Sequence, residues 1–160
     1  MIRCLSFSLC LLAVLLPAVA MGGGLAALLP ESVGDLTRVQ LIAGPDAQVE
    51  VDKLHGKALA AEESVVARYA RPGERPAEVW VSRVADEAEA RRQAGLMVHK
   101  MYENPRSPFK DPSRVDHSGR AVYRFIGMGQ AHLIWFGGDL VWWVSASSQD
   151  EAAFLDAFCR

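Results

Sequence analysis

The sequence predicts an α+β domain built on antiparallel β-structure, and two features of the chain support this prediction. Two pairs of β-rich segments are each followed by a segment with the apolar spacing of a helix. The last strand candidates are joined by short glycine-containing turns, which are typical of antiparallel hairpins. We therefore expect two strand-strand-helix units, with the helices packed on one face of the sheet.

The first pair of strands lies in the middle of the chain. Residues 64–70 and 77–84 are β-rich and flank a polar loop at 71–76 that contains two prolines and a glycine. A helix is predicted over 86–102, because an aspartate and a glutamate three residues apart open an apolar pattern of helical period. Two further short strands are predicted upstream, at 39–42 and 49–51.

The second set of strands lies near the C-terminus, at 121–127, 130–136 and 140–147. Glycines between these segments predict an antiparallel meander. A serine and a glutamate three residues apart then open a final helix at 148–158. The repeated order of two strands and a capped helix is the basis for proposing two similar units.

The first 29 residues indicate the destination of the protein. Arg3 precedes a run from Cys4 to Leu29 that carries no charged side chain. An apolar segment, the helix breaker Pro17 and the triplet Ala18-Val19-Ala20 follow the order of a secretory signal. We therefore expect cleavage after Ala20 and export to the periplasm or the medium.

The alternative is a retained membrane anchor, because about 20 apolar residues suffice to cross a bilayer. Pro17 and the glycines at 22–24 interrupt the uncharged run, which favours cleavage. The predicted organisation is a signal peptide at 1–20, a linker or entry segment at 21–34 and a single α+β domain at 35–160.

The composition limits the classes of partner. The chain has 17 basic and 19 acidic residues, a formal net charge of −2, and the two signs are interspersed. Nucleic acid is therefore not an expected partner, because phosphate binding needs a basic block. Removal of the signal would leave Cys159 as the one cysteine, which excludes an internal disulfide in the mature chain.

Strand alternation assigns the side chains of the meander to two faces. The first is apolar and is expected to form the core: Ala121, Tyr123, Phe125, Ala131, Leu133, Trp135, Leu140, Trp142, Val144 and Ala146. The second mixes Arg124, His132 and Trp143 with Ile134, Phe136 and other apolar residues. Such a stripe suits an anionic or aromatic ligand. The alternative, which the residue types favour, is that a helix or loop covers this face and that His132 is a satisfied, half-buried histidine.

The segment 103–119 is a second candidate site. It contains three prolines and no apolar periodicity, which predicts an unusually long loop. Asp116 and His117 are neighbours within it; a lid would carry them, and a hydrolase site would use either them or His132. The alternative, a mobile solvated loop, is favoured because acidic and basic residues balance along the segment.

Other pairs with catalytic or metal-binding spacing are weaker candidates. His99 and Glu103 lie four residues apart, but on the side of the helix away from the sheet and without a third ligand, so no metal is expected. Asp52 and His55 have no nucleophile beside them. Nucleophile-elbow, zinc-protease and phosphate-loop motifs are missing from the sequence, and no cofactor is assigned. The case for an enzyme is weakened but stays open.

The order of elements resembles a family of uncharacterised exported bacterial proteins with a domain of unknown function. The family's Leu-Pro-x-x-apolar-x-Gly entry matches residues 29–34, its glycine turn matches 54–58 and its C-terminal meander matches 133–139. Asp35 stands where the family usually has an aromatic residue, and His55-Gly56-Lys57 replaces the Asn-Gly-Gly turn core. The resemblance implies an exported α+β protein and carries no activity to any residue.

Together these features predict an exported bacterial envelope domain, a non-enzymatic module for a small ligand or an envelope protein. The alternatives are a small envelope hydrolase, or a structural subunit anchored in the membrane by residues 4–29. Membrane contact is expected only if that segment is retained. The candidate binding residues are Arg124, His132, Trp143, His117 and Asp116; no catalytic residue is assigned.

Overall fold

The computed structural model describes residues 24–55 and 58–160. They form one eight-stranded antiparallel sheet with three α-helices, which confirms the α+β class. The predicted signal peptide, with its cleavage site at Ala20, lies outside the described residues. Among the residues described, no helix is long and apolar enough to span a membrane.

The elements follow one another with short connections. A 3-10 helix, η1, precedes the first strand, and the strands lie across the sheet in the order β1-β2-β3-β4-β8-β7-β6-β5. In chain order the elements are η1 Leu25–Leu28, β1 Ser32–Val33, β2 Leu36–Ala43, α1 Pro45–His55, β3 Glu63–Ala70, β4 Ala77–Arg83, α2 Glu87–Glu103, β5 Phe109–His117, β6 Arg120–Gly127, β7 Gln130–Gly137, β8 Leu140–Ala146 and α3 Glu151–Phe158.

The hairpin of β3 and β4 and the helix α2 form where the sequence predicts them. The Asp86 side chain accepts a hydrogen bond of 2.8 Å from the Glu89 amide and caps α2. The strand predicted at 49–51 is wrong, because this segment lies inside α1. Ala47 and Val51 are four residues apart and buried, so they pack on Val66 of β3 as one face of a helix.

The helices lie on both faces of the sheet, so the prediction that they share one face is wrong. Helices α1 and α2 cover one face, whereas α3 and η1 cover the other. Both faces of β8 are apolar: Trp142 packs towards α3 and Val141 towards α2. Strands β4 and β8 are adjacent and antiparallel, so two equivalent units that meet there would be related by a two-fold axis perpendicular to the sheet. Such an axis would place both helices on the same face. The two strand-strand-helix segments are therefore not equivalent.

The predicted linker is part of the core from Leu25 onwards. Leu25 and Leu29 are 0% and 2% exposed and pack in the same cluster as Tyr69 and α3. The Tyr69 hydroxyl donates a hydrogen bond of 2.9 Å to the carbonyl of Pro30, and burial raises the pKa of Tyr69 to about 12. This segment is therefore part of the folded domain and stabilises it, and it is not a linker.

The predicted long loop contains the edge strand β5. Its pairing with β6 is irregular between Lys110 and Ser113, where Pro112 lies and where Asp111 has a positive φ of 52°. An edge strand accommodates proline at such an irregularity because its outer groups need no partner strand. Most side chains of β5 are exposed on both sides, so the sequence lacks the alternation that identifies a half-buried strand. The favoured prediction of a mobile solvated loop is therefore wrong for Phe109–His117.

The predicted faces place Tyr123 and Phe125 beside Leu133 and Trp135, which requires an odd number of residues in the turn between β6 and β7. Met128 and Gly129 form a two-residue turn with φ values of 51° and 76°, and Gly127 pairs with Gln130. A change of one residue in register moves every side chain of a strand to the other face. Strand β6 is therefore inverted relative to the prediction: Val122 lies with Leu133, whereas Tyr123 and Phe125 lie on the α2 face.

Candidate functional site

The inversion of β6 separates Arg124 from His132 and Trp143. Arg124 lies opposite Leu133 in the register, on the face covered by α3. Its Nε and Nη2 atoms each donate a hydrogen bond of 2.7 Å to the carboxylate of Glu151. This contact raises the pKa of the Arg124 guanidinium. The three predicted binding residues thus do not form one stripe.

His132 is buried under α2 and β5, with 2% of its surface exposed. Its Nε2 lies 3.0 Å from the carbonyl oxygen of Gly127, which can only accept, so Nε2 carries the proton. Its Nδ1 therefore accepts from the Ser145 hydroxyl at 2.8 Å and from the Trp143 indole at 3.3 Å. Burial lowers the pKa of His132. Both ring nitrogens are occupied and the ring is neutral.

The contact between Ser145 and His132 has the residue types of a nucleophile and a base. Ser145 is 6% exposed, and the partner of the second ring nitrogen is a carbonyl instead of a carboxylate. The ring of Phe109 packs edge-on at 4.7 Å between centroids and closes the site further. Ser145, His132 and the Gly127 carbonyl thus form a buried hydrogen-bond chain with a structural role.

Asp116 and His117 do not act on each other. Successive side chains of a strand point to opposite sides, and each of these two has its own partner. Asp116 accepts from Arg114 at 2.9 Å, whereas Nε2 of His117 lies 3.2 Å from the carboxylate of Asp156 on α3. His117 thus connects the sheet edge to α3, whereas Asp116 pairs within β5 itself.

The weaker candidate pairs from the sequence, His99 with Glu103 and Asp52 with His55, make local structural contacts. His99 and Glu103 form an exposed contact of 3.0 Å on α2. Asp52 accepts hydrogen bonds from the Gln48 side chain and the Leu59 amide, whereas His55 Nδ1 donates to the carbonyl of Val51 at 2.8 Å. No group of three metal-ligating side chains occurs within residues 24–55 and 58–160.

An apolar pocket opens on the α2 face, between the end of α1 and the second half of α2. Its volume is about 210 Å³. Trp143 and Phe109 line it from the sheet, and the wall residues are mainly large and apolar. The lining consists of Leu54, His55, Leu59, Arg92, Gln93, Leu96, Met97, Lys100, Met101, Phe109 and Trp143.

A smaller cavity of about 20 Å³ shares five of these residues and reaches Val51, Trp80, Ser82 and Val141. The pocket therefore extends towards the sheet below α1. We call the two together the α1/α2 pocket.

The sequence of α2 explains why the pocket lies where it does. Ala90 and Ala94 are buried and bring the first half of the helix close to the sheet. Further along, the larger side chains of Leu96, Met97 and Met101 project beside α1 and leave a space between the two helices. These positions recur at helical spacing, so they line one side of the pocket over about two turns.

Gln93 supplies an unusual polar wall. Its Nε2 donates to the carbonyl of Ala60 and to Oε1 of Glu89, each at 2.8 Å. Both partners are acceptors, so the amide cannot be reversed. Its buried Oε1 has no hydrogen-bond partner among the described residues. An unpaired buried carbonyl is costly, and structural roles rarely leave one.

The charged groups that line the α1/α2 pocket are basic. Arg92 binds Glu89 with two hydrogen bonds of 2.6 and 2.7 Å, and this contact lowers the pKa of Glu89 to about 2. Lys100 forms no ion pair with any residue in the described part of the chain. No aspartate or glutamate belongs to the lining. The pocket is thus apolar inside with a cation at its edge.

Of the five candidate binding residues, Trp143 alone lines this pocket, and His55 of the weaker Asp52–His55 pair also belongs to the lining. Leu54, Leu59 and Leu96 were not predicted, because the sequence pattern indicates a single apolar seam on α2 and a strand where α1 lies. The signal was present in α2: Leu96 is an apolar residue outside that seam, so the apolar arc of the helix is wider than contact with the sheet requires.

Comparisons of the chain with protein-family models, with curated proteins and with solved structures gave no match.

Proposed function

We propose that this chain is an exported, non-enzymatic module that binds a small apolar ligand in the α1/α2 pocket. The observation that carries the proposal is the pocket of about 210 Å³, whose walls are mainly leucine, methionine and aromatic side chains. A dry apolar cavity of about 150 Å³ is sufficient for one benzene ring. The volume therefore suits a single ring or a short aliphatic chain.

The pocket has the composition that ligand sites share. Such sites are concave and mostly apolar, with a few polar groups that orient the ligand. Here the polar groups are Lys100, Gln93 and His55, and the apolar surface is contributed by four separate elements and the segment after α1. Trp143 and Phe109 add aromatic rings, which bury a large area against a ligand.

Binding is favoured over catalysis by the state of the candidate catalytic groups. His132 is neutral with both nitrogens occupied, and His117 and Asp116 face different partners. General acid-base catalysis needs a titratable group that can reach a substrate proton. None of these three residues lines the pocket.

Export is the second part of the proposal, and the N-terminal sequence supports it. The uncharged segment and the Ala18-Val19-Ala20 triplet favour a cleaved signal over an anchor. The resemblance to a family of exported bacterial proteins points the same way. The intact mass of the protein from the envelope fraction distinguishes the two: a chain that begins at Met21 supports export, and a full-length chain in the membrane contradicts cleavage.

Calorimetric titration with n-octanol tests the binding function. The sample is the chain as recovered from the envelope of an expressing bacterium. We expect saturable binding at one site, and Leu96→Trp should weaken it at least tenfold because the larger ring occupies the pocket. Leu41→Trp is the matched control, since Leu41 is a partly exposed leucine on β2 outside the pocket.

The result that contradicts the proposed function is a lack of saturable binding, or binding that Leu96→Trp and Leu41→Trp leave equally unchanged. Thermal unfolding of both variants shows whether each is folded, so a loss of binding through unfolding is recognised.

A further inference from the structure

We propose that the α1/α2 pocket selects single-chain anionic amphiphiles, with the negative headgroup at Lys100 and the aliphatic chain along α2 towards Gln93. This inference rests on the proposed binding function and names the class of ligand. It follows from the distribution of charge around the pocket and from the length of its lining along α2.

The charge at the headgroup end is uncompensated. Lys100 is exposed at its position in the last turn of α2, and no described carboxylate lies within ion-pair distance of it. Glu103, one turn further on, contacts His99 instead. An ammonium group beside an apolar cavity, without a partner of its own, suits an anionic group of the ligand.

The opposite end of the pocket is unsuited to an anion. The charge of Arg92 is compensated there by its two hydrogen bonds to Glu89. The same carboxylate accepts from Gln93, whose own carbonyl oxygen is unpaired. A negative headgroup at this end would be repelled by the carboxylate of Glu89 and by the carbonyl oxygen of Gln93. The two ends thus differ in polarity, and the difference orients an anionic ligand with its head at Lys100.

The pocket is elongated along the helix. Its lining on α2 extends from Arg92 to Lys100, which corresponds to about 12 Å at 1.5 Å per residue. Leu96 and Met97 lie between these ends, and Trp143 and Phe109 face them from the sheet. A chain of methylene groups fits such a wall better than a round ligand does. Each buried methylene should increase the affinity about fourfold until the chain exceeds the pocket.

The inference is tested with three ligands of equal chain length: n-octanoate, n-octanol and n-octylammonium, each titrated at neutral pH and low salt. We expect octanoate to bind about fivefold more tightly than octanol, as a partly exposed ion pair allows. Octylammonium should bind more weakly than octanoate, because Lys100 repels its positive headgroup. Raising the salt concentration should reduce the preference for octanoate and leave octanol unaffected.

Two variants test the headgroup assignment. Lys100→Gln should remove the preference for octanoate and leave the affinity for octanol unchanged. Lys110→Gln is the matched control, because Lys110 is an exposed lysine on β5 outside the pocket lining. It should keep the preference of the original chain.

The outcomes separate this inference from the proposed function. If octanol binds and octanoate binds no better, or if Lys100→Gln keeps the preference, the anionic headgroup is overturned while the apolar pocket stands. If neither octanol nor octanoate binds, the proposed function fails together with the inference. Affinity that rises with chain length for the carboxylates, and that Lys100→Gln lowers, supports both.

Discussion

Arg124 of β6 and Glu151 in the first turn of α3 are joined by two parallel hydrogen bonds of 2.7 Å each. The side chains are 26% and 16% exposed, so the pair is shielded from much of the solvent. The contact fastens α3 to the face of the sheet opposite the α1/α2 pocket. It also shows that the residue predicted to bind a ligand beside His132 serves instead to position a helix.

The Arg124–Glu151 pair should contribute measurably to stability. A double-mutant cycle with Arg124→Gln and Glu151→Gln should give a coupling free energy of about 1 to 2 kcal/mol in denaturant unfolding, because the pair is bidentate and partly buried. The exposed pair of Arg91 and Glu87, 3.8 Å apart on α2, is the control and should give less than about 0.5 kcal/mol. Octanol binding should not change in Arg124→Gln. A loss of that binding would show that Arg124 belongs to the ligand site after all.

The segment before β1 should behave as core. Leu29→Ala should lower the free energy of unfolding by about 2 to 5 kcal/mol, since it deletes a buried leucine side chain. Leu28→Ala, one residue earlier and 45% exposed, should change it by less than about 0.5 kcal/mol. Urea unfolding of the two variants measures the difference. Equal and small effects would mean that this segment is the linker that its glycines suggest.

The buried neutral His132 should make stability depend on pH. Its pKa is lowered in the folded state by burial, so the unfolded state binds the proton more readily. The stabilisation is therefore complete above the unfolded pKa of about 6.5 and is lost as the pH falls below it. The slope contributed by one group is at most about 1.4 kcal/mol per pH unit.

His132→Gln should reduce this slope between pH 7 and pH 5 in urea unfolding. His99→Gln, on the exposed side of α2, is the matched control and should keep it. If the slopes of His132→Gln and the original chain are identical, His132 does not carry the pH dependence.

A substitution at Met128 should stabilise the turn between β6 and β7. Met128 has a φ of 51°, a conformation that costs a residue with a side chain about 1 kcal/mol, and its side chain is 54% exposed. Met128→Asn should raise the melting temperature, since asparagine favours the first position of such a turn. Met128→Leu, which keeps a large apolar side chain, should leave the melting temperature unchanged. Equal melting temperatures for the two variants would contradict the backbone explanation.

Local signals in the sequence were sufficient for much of the fold. The β3–β4 hairpin and α2 carry strand propensity, a proline-rich loop and an aspartate cap, all within a few residues of one another. The side chains that these elements bury then follow from the period of each pattern.

The errors arose where structure depends on contacts that are distant in sequence. The strand predicted around Val51 has high β propensity, but packing on Val66 selects a helix there. Strand β5 has no apolar pattern because it lies at the sheet edge and is exposed on both sides. The two-residue turn at Met128 and Gly129 gives β6 the opposite parity to the predicted faces, which separates Arg124 from His132.

The α1/α2 pocket could not be predicted for a related reason. Its walls come from four elements, α1, α2, β5 and β8, and from the segment after α1. The sequence predicts a strand within α1 and a loop at β5. Only the position of Trp143 on the α2 face followed from alternation along β8.

The most direct test of this account is a map of backbone amide and indole chemical shifts during titration with n-octanol. We expect saturable shifts at the Trp143 indole N–H, which lies 3.3 Å from His132 Nδ1, and at Leu54 and Leu96. Residues around Arg124 and α3, on the other face, should remain unchanged. Shifts confined to the α3 face, or shifts that do not saturate, would contradict the assignment of the α1/α2 pocket as a ligand site.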